Sequence, residues 1–187
     1  TGSLGNTPGH IVRLYGNVDG TQLTYPSTPP PGAPGSINAG QVVDLGVITL
    51  DFEIQGDHEF GVGSFMLGGS IQDPFTPPPN QKGDPSMSLA TPVEQYRIKY
   101  VFLAPDDYDL SYADIIVPDG ANVVLDGSAI SAPVTPISSG YGVARVQMGP
   151  GAGGAHVLVS DKPVGLQVIG YGSYTRYQYP GGLNLGL

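Results

Sequence analysis

Apolar residues gather in short β-rich runs along this chain, and glycine, proline, aspartate and asparagine separate the runs. Side chains two apart share one face of an extended strand, so runs of this kind between turn residues predict half-buried strands. Residues 10–15 (HIVRLY), 21–25, 41–45 and 47–54 read as strands in the first part. Residues 97–103 (RIKYVFL), 112–117, 122–125 and 141–148 do so in the second. No stretch sustains three turns of helix, because glycine, proline and β-branched residues interrupt each one. The aspartate-glycine pairs Asp19-Gly20, Asp119-Gly120 and Asp126-Gly127 mark tight turns.

The stretch 156–174, HVLVSDKPVGLQVIGYGSY, predicts a hairpin that turns at Ser160-Asp161-Lys162-Pro163. It has an echo 104 positions earlier, in FEIQGDHEFGVGSFMLG. Asp57 aligns with Asp161, Gly61 with Gly165 and Gly68 with Gly172, while Ile54/Leu158, Val62/Leu166 and Phe65/Ile169 keep apolar positions in step. Asp19-Gly20 and Ile37 recur 100 positions later as Asp119-Gly120 and Ile137. The glycine-rich stretch 149–155 accounts for the change of spacing. The expectation is an all-β protein of two tandem, internally duplicated, β-sandwich-like modules, since two sheets packed face to face bury one side of each. The first module takes residues 1–70 with a loose lead-in at 1–9, a proline-rich linker takes 71–96, and the second module takes 97–187.

Composition narrows the function classes. The 29 glycines and 19 prolines fit the many turns of such a fold. There is no cysteine, so neither a disulfide framework nor a thiolate metal site exists. Seven basic residues and a net charge of −9 argue against nucleic-acid binding, which needs a positive patch. No apolar run reaches the length of a membrane-spanning helix, so membrane insertion is not expected. The chain begins with Thr1, which reads as a processed chain or a piece of a longer one.

The second half runs YVFLAPDDY, YADIIVPDGANVVLDG, then GAHVLVSDKPVGLQVIGYGSY and finally YPGGL. In this order the segments resemble the IgGFc-binding-protein N-terminal domain family, in the form found in large bacterial surface and secreted proteins. The segment GDPSMSLATPVEQYR resembles that family's linking segment. The resemblance implies an all-β, extracellular or cell-surface binding module without a catalytic motif. The vertebrate namesake binds immunoglobulin Fc and continues into cysteine-rich repeats; this chain has no cysteine, so Fc binding is not carried over.

Candidate chemistry is sparse. His10, His58 and His156 lack the short spacing of a zinc site. No serine stands in a nucleophile elbow, and the glycine runs lack the lysine of a phosphate loop. The acidic group Asp106, Asp107, Asp109 and Asp114 is a candidate calcium site, since calcium takes clustered carboxylates on loops. Ordinary turn chemistry explains the same residues, because aspartate bonds nearby backbone amides. No other cofactor is expected. The run Tyr171, Tyr174, Arg176, Tyr177 and Tyr179 offers a binding surface for a protein or a sugar ring, or alternatively sheet core. As one extended strand it would put Tyr171, Tyr177 and Tyr179 on one face and Tyr174 and Arg176 on the other.

These readings converge on a non-catalytic extracellular structural or adhesive binding module. Its partner is a protein or glycan at a cell surface, or other copies of itself through the glycine-rich ends 1–9 and 181–187. The alternatives are a carbohydrate-binding module of a larger secreted enzyme, and a hydrolase whose site has no sequence signature.

Overall fold

The computed structural model describes residues 9–138, 140–148 and 153–184. Residues 1–8 of the proposed lead-in 1–9, residues 185–187 of the glycine-rich end 181–187 and residues 149–152 of the 149–155 loop lie outside the described residues. The fold is all-β, with antiparallel pairing throughout the named sheets. The strands are β1 (His10–Gly16), β2 (Thr21–Thr24), β3 (Ser36–Ile37), β4 (Val42–Ile48), β5 (Gln55–Gly56), β6 (Phe60–Met66) and β7 (Met87–Leu89) in the first half. The second half holds β8 (Arg97–Ala104), β9 (Leu110–Pro118), β10 (Val123–Leu125), β11 (Ser128–Ala129), β12 (Val134–Ser138), β13 (Tyr141–Met148), β14 (Gly154–Gly172) and β15 (Thr175–Pro180). A four-residue helix, α1 (Gly69–Gln72), and a single 3-10 turn at Val93–Gln95 complete the named elements.

In the first half a sheet in the order β4-β1-β6-β7 faces a smaller one, β3-β2-β5. Leu14, Leu23, Ile37 and Ile48 are buried between them. In the second half β14 belongs to both layers. Its early part pairs with β8 on one side and β10 on the other, and its later part pairs with β9 and β15. Tyr100, Phe102, Ile115, Leu158, Val164 and Val168 fill the space between the layers. Fully burying an aliphatic side chain of this size contributes about 2 kcal/mol, so this cluster is the main support of the second half.

The predicted hairpin at 156–174 is instead one 19-residue strand, bent where the turn was expected. The register with β8 shifts between Val159 and Val164. The turn residues are real, but they carry the chain from one layer to the other rather than back along itself. Pro163 has no amide to give to a ladder. The Asp161 carboxylate accepts the Asn122 amide (2.8 Å), and the Tyr100 hydroxyl donates to the Val164 carbonyl (2.6 Å), so both sides of the bend are tied. The first-half echo behaves alike: β5 pairs with β2 and β6 with β1, with residues 57–59 between them.

The ladders of the two halves run in step. Leu14 opposes Val43 and Val62; Ile115 opposes Ala144 and Leu166. Leu23 opposes Gly56, and Val123 opposes Ser160. The Gln22 amide donates to Asp57 at 2.7 Å, as the Asn122 amide donates to Asp161. Gly63 opposes Leu89 on β7, and Gln167 opposes Pro180 on β15.

Residues 71–96, expected as a linker, contribute a strand to the first sheet, because β7 pairs with β6. The same segment is bonded to the second half. The Gly83 amide donates to the Gly172 carbonyl and the Tyr174 amide to the Gln81 carbonyl, both at 3.0 Å. Met66 of the first half packs with Tyr112, Ile169 and Tyr171 of the second.

Candidate functional site

The outer face of the β9-β13-β14-β15 sheet points at the first half and is unusually polar for a covered surface. Asp114 on β9 lies across from Arg145 on β13. The Arg145 guanidinium reaches the Asp51 carboxylate at 2.6 Å and stands 3.7 Å from Asp114. Two carboxylates thus share one cation between the halves. The equivalent ladder position in the first half carries the same pair with its charges exchanged: Arg13 on β1 donates to Asp44 on β4 at 2.8 Å. That pair is exposed. The inner pair is largely covered, and removal from water pushes the Asp114 carboxyl up to about 6 despite Arg145 beside it. His10 stands nearby, within 2.8 Å of the Ser64 hydroxyl. Burial, aided by the charges of Arg176 and Arg145, lowers its imidazole to about 4, so it is neutral at pH 7.

The tyrosine run does not form an exposed face. β14 ends at Gly172 and β15 starts at Thr175, so a turn resets the alternation that one extended strand would have had. Tyr171 and Arg176 become cross-strand partners, with the guanidinium 4.5 Å above the Tyr171 ring. Both are buried against the first half, and Gly83 makes room for Arg176, since a Cβ there would lie 2.1 Å from Nη2. Burial draws the Arg176 pKa down, and the Tyr171 ring and Asp84 oppose that pull. Tyr177 and Tyr179 turn inward against the second-half core. The Tyr177 hydroxyl donates to Ser111, and that of Tyr179 bonds the Leu103 backbone. Of the five, Tyr174 alone is exposed, at 49%.

The acidic candidates are also not brought together. Asp109 pairs with the Lys82 ammonium at 2.6 Å, whereas Asp114 points to Arg145. Among the described residues, no three His, Cys, Asp or Glu side chains could together hold a metal ion. The histidines are separate as well. His58 contacts Asp57 at 3.0 Å, and His156 contacts Asp126 at 2.6 Å while stacking on Phe102. Burial works against ionised Asp126, but bonds from His156 and the Val157 amide hold its carboxyl below the usual range.

What sequence reasoning missed is the surface around the β14 bend. Two adjoining clefts of about 270 and 320 Å³ flank Pro163 and Tyr96. Arg97 and Lys99 line the first and Lys162 the second. The Tyr96 ring forms the floor, lying on Gly165, where a Cβ would come within 2.6 Å of it. The outer sides of β8 and early β14 are apolar and open, with Val101 65%, Leu103 56%, Val157 37% and Val159 42% exposed. The alternation in RIKYVFL marked a strand; its outward apolar residues were the one available signal of this face.

The IgGFc binding protein family matches residues 2–170. The chain belongs to that family. No curated protein and no solved structure matches it. The IgGFc-binding family is one of binding domains, and its match spans β1 through the bend and most of β14. No helix among the described residues is long and apolar enough to cross a membrane.

Proposed function

We propose that this chain is a non-catalytic extracellular module, built from two copies of one β unit, that works by surface contact with proteins. The observation that carries the reading is the membership of a binding-domain family, on a fold whose three histidines and Asp114–Arg145 pair contact other residues of the chain. His10, His58 and His156 each have a partner within the fold, and Asp114 and Asp51 share Arg145. The matching ladder registers and the exchanged Arg13–Asp44 and Asp114–Arg145 pairs support the duplication. The open apolar side of β8 and β14 supports contact with a protein, because exposed apolar sheet surface of this kind marks interaction sites.

The protein immobilised on a sensor surface tests the reading against three sets of analytes: immunoglobulin Fc and other extracellular proteins, itself, and a glycan panel. Saturable binding to a protein, weakened by Val101→Asp, is expected. Binding confined to glycans moves the chain to the carbohydrate-binding alternative. Hydrolysis of an ester, peptide or glycoside that one polar substitution abolishes overturns the non-catalytic reading.

A further inference from the structure

The two crossover bends occupy equivalent positions and differ in the charge they carry. In the second half, Arg97, Lys99 and Lys162 surround the bend of β14, three of the chain's seven basic residues. All three are exposed. Arg97 and Lys99 have no acidic partner among the described residues. Lys162 gives its ammonium to the Asp119 carbonyl at 2.6 Å and interacts electrostatically with the neighbouring Asp161 carboxylate. Asp119, Asp161 and Glu94 are the carboxylates around this bend; Asp161 holds Asn122 through both oxygens, and Glu94 precedes the Tyr96 floor. The walls of the two clefts carry these three cations and no carboxylate, on a chain of net charge −9.

In the first half the same bend reads Asp57-His58-Glu59 where the second reads Asp161-Lys162-Pro163. The first aspartate does the same work in each, holding the amide of Gln22 or Asn122. The two residues after it differ: an ammonium and a proline in one half, an imidazole and a carboxylate in the other. The Asn17 side chain donates to Glu59 at 2.9 Å, which brings the turn bearing Asp19 against this corner. Asp19, Asp57 and Glu59 are all exposed.

We propose that the basic cleft at the β14 bend of one copy receives the acidic corner Asp19, Asp57 and Glu59 of a second copy. The proposal rests on the reading of the chain as a surface-contact module and names a partner for it. The two patches are different surfaces of one molecule, so each contact leaves a free cleft at one end and a free corner at the other. Such contacts grow into open chains unless rotation closes them. Opposed charges set the register and speed of encounter more than the affinity. Val93 (44% exposed) and Ile98 (56% exposed), at the cleft edges, supply the apolar area that the contact also needs.

Sedimentation velocity on the whole chain tests the pairing at low ionic strength and in about 1 M NaCl, where charges are screened beyond about 3 Å. One variant, Lys99→Glu with Lys162→Glu, makes both patches acidic. The other, His58→Lys with Glu59→Lys, sets two ammonium groups against Asp19 and Asp57, removes the corner's net negative charge and leaves Asp57 to hold its turn. Unchanged melting temperatures establish that both are folded. The wild type is expected to associate at low salt and to weaken by about tenfold or more in high salt. Each variant alone stays monomeric, and an equimolar mixture of the two associates again. A wild type that is monomeric at low salt, variants that self-associate as it does, or a folded mixture that stays monomeric overturns the pairing. If sensor binding to another protein survives in that last case, only the pairing fails and the surface-contact reading stands. A sulfated oligosaccharide bound by the wild type and lost in Lys99→Glu/Lys162→Glu, without self-association, assigns the cleft to an anionic glycan and also overturns the pairing.

Discussion

Equivalent glycines in the two halves have unequal roles. Gly165 lies beneath the Tyr96 ring, and a Cβ there would come within 2.6 Å of it; at Gly61 the nearest atom to a Cβ is a Tyr15 carbon at 3.7 Å. Gly165→Ala should therefore overpack the site and destabilise by about 1–3 kcal/mol. Gly61→Ala should be neutral or stabilise by about 0.5–1 kcal/mol, because glycine loses more chain freedom on folding. Urea midpoints of the two variants check the opposite signs. The acidic candidates make a second prediction at this scale. With Asp109 on Lys82 and Asp114 on Arg145, chelation should leave the melting temperature unchanged. A rise of several degrees on adding calcium to the chelated protein would support the calcium reading instead.

The strands β1 and β9 place two titrating groups between the halves, and these pull stability in opposite directions. The carboxyl of Asp114 titrates at about 6 in the fold, above its ordinary value of 3.8. A raised acid binds its proton more tightly when folded, so this group's contribution improves as pH falls from about 6 to about 4. His10 titrates at about 4 in the fold against 6.5 when free, so its contribution is lost as pH falls from 6.5 towards 4. Each is worth on the order of 3 kcal/mol across its range by linkage, and the two nearly cancel. Asp114→Asn should expose the histidine effect as a loss of stability between pH 6.5 and 4. His10→Asn should expose the carboxylate effect as a gain. Denaturant titrations across that range would contradict the account if the variants had parallel profiles. The strands that hold these groups were legible, since HIVRLY and YADIIV carry β-rich runs bounded by turns. The proximity of the groups was not: Asp51 and Arg145 meet across 94 positions, with no local signal at either end. The β14 bend was misread for a related reason. Ser-Asp-Lys-Pro interrupts a ladder whether the chain reverses or changes sheets, and only the partners β8, β10, β9 and β15 distinguish the two. The tyrosine run failed the same way, because the turn between Gly172 and Thr175 inverted the facing of everything after it.

Taken whole, the molecule is joined by more than its covalent connection. The proline-rich stretch looked like a spacer because proline cannot pair inside a sheet, and Phe75 indeed stands 91% exposed beside Pro74. A few residues later the chain bonds the second half through Gln81 and Gly83, then returns to the first as β7. The far end is likewise held as far as Asn184: the Gly181 amide donates to Leu166 and that of Asn184 to the Gln95 carbonyl. Chymotrypsin should cut after Phe75, where the side chain is open and the backbone lies outside the named strands. The two fragments should then stay together, because the second would still donate β7 to the first-half sheet and keep Met66 against Tyr112, Ile169 and Tyr171. Buried apolar contact at about 25 cal/mol per Å² acts without regard to whether the chain is continuous, while the cut itself only raises the entropy of the separated state. Gel filtration of the nicked protein should show one peak at the intact position, and urea should separate it into two. A nicked protein that falls apart in buffer would mean that residues 71–96 act as a tether after all, and that the polar face bearing Asp114, Arg145 and Arg176 hydrates readily once the halves are free to part.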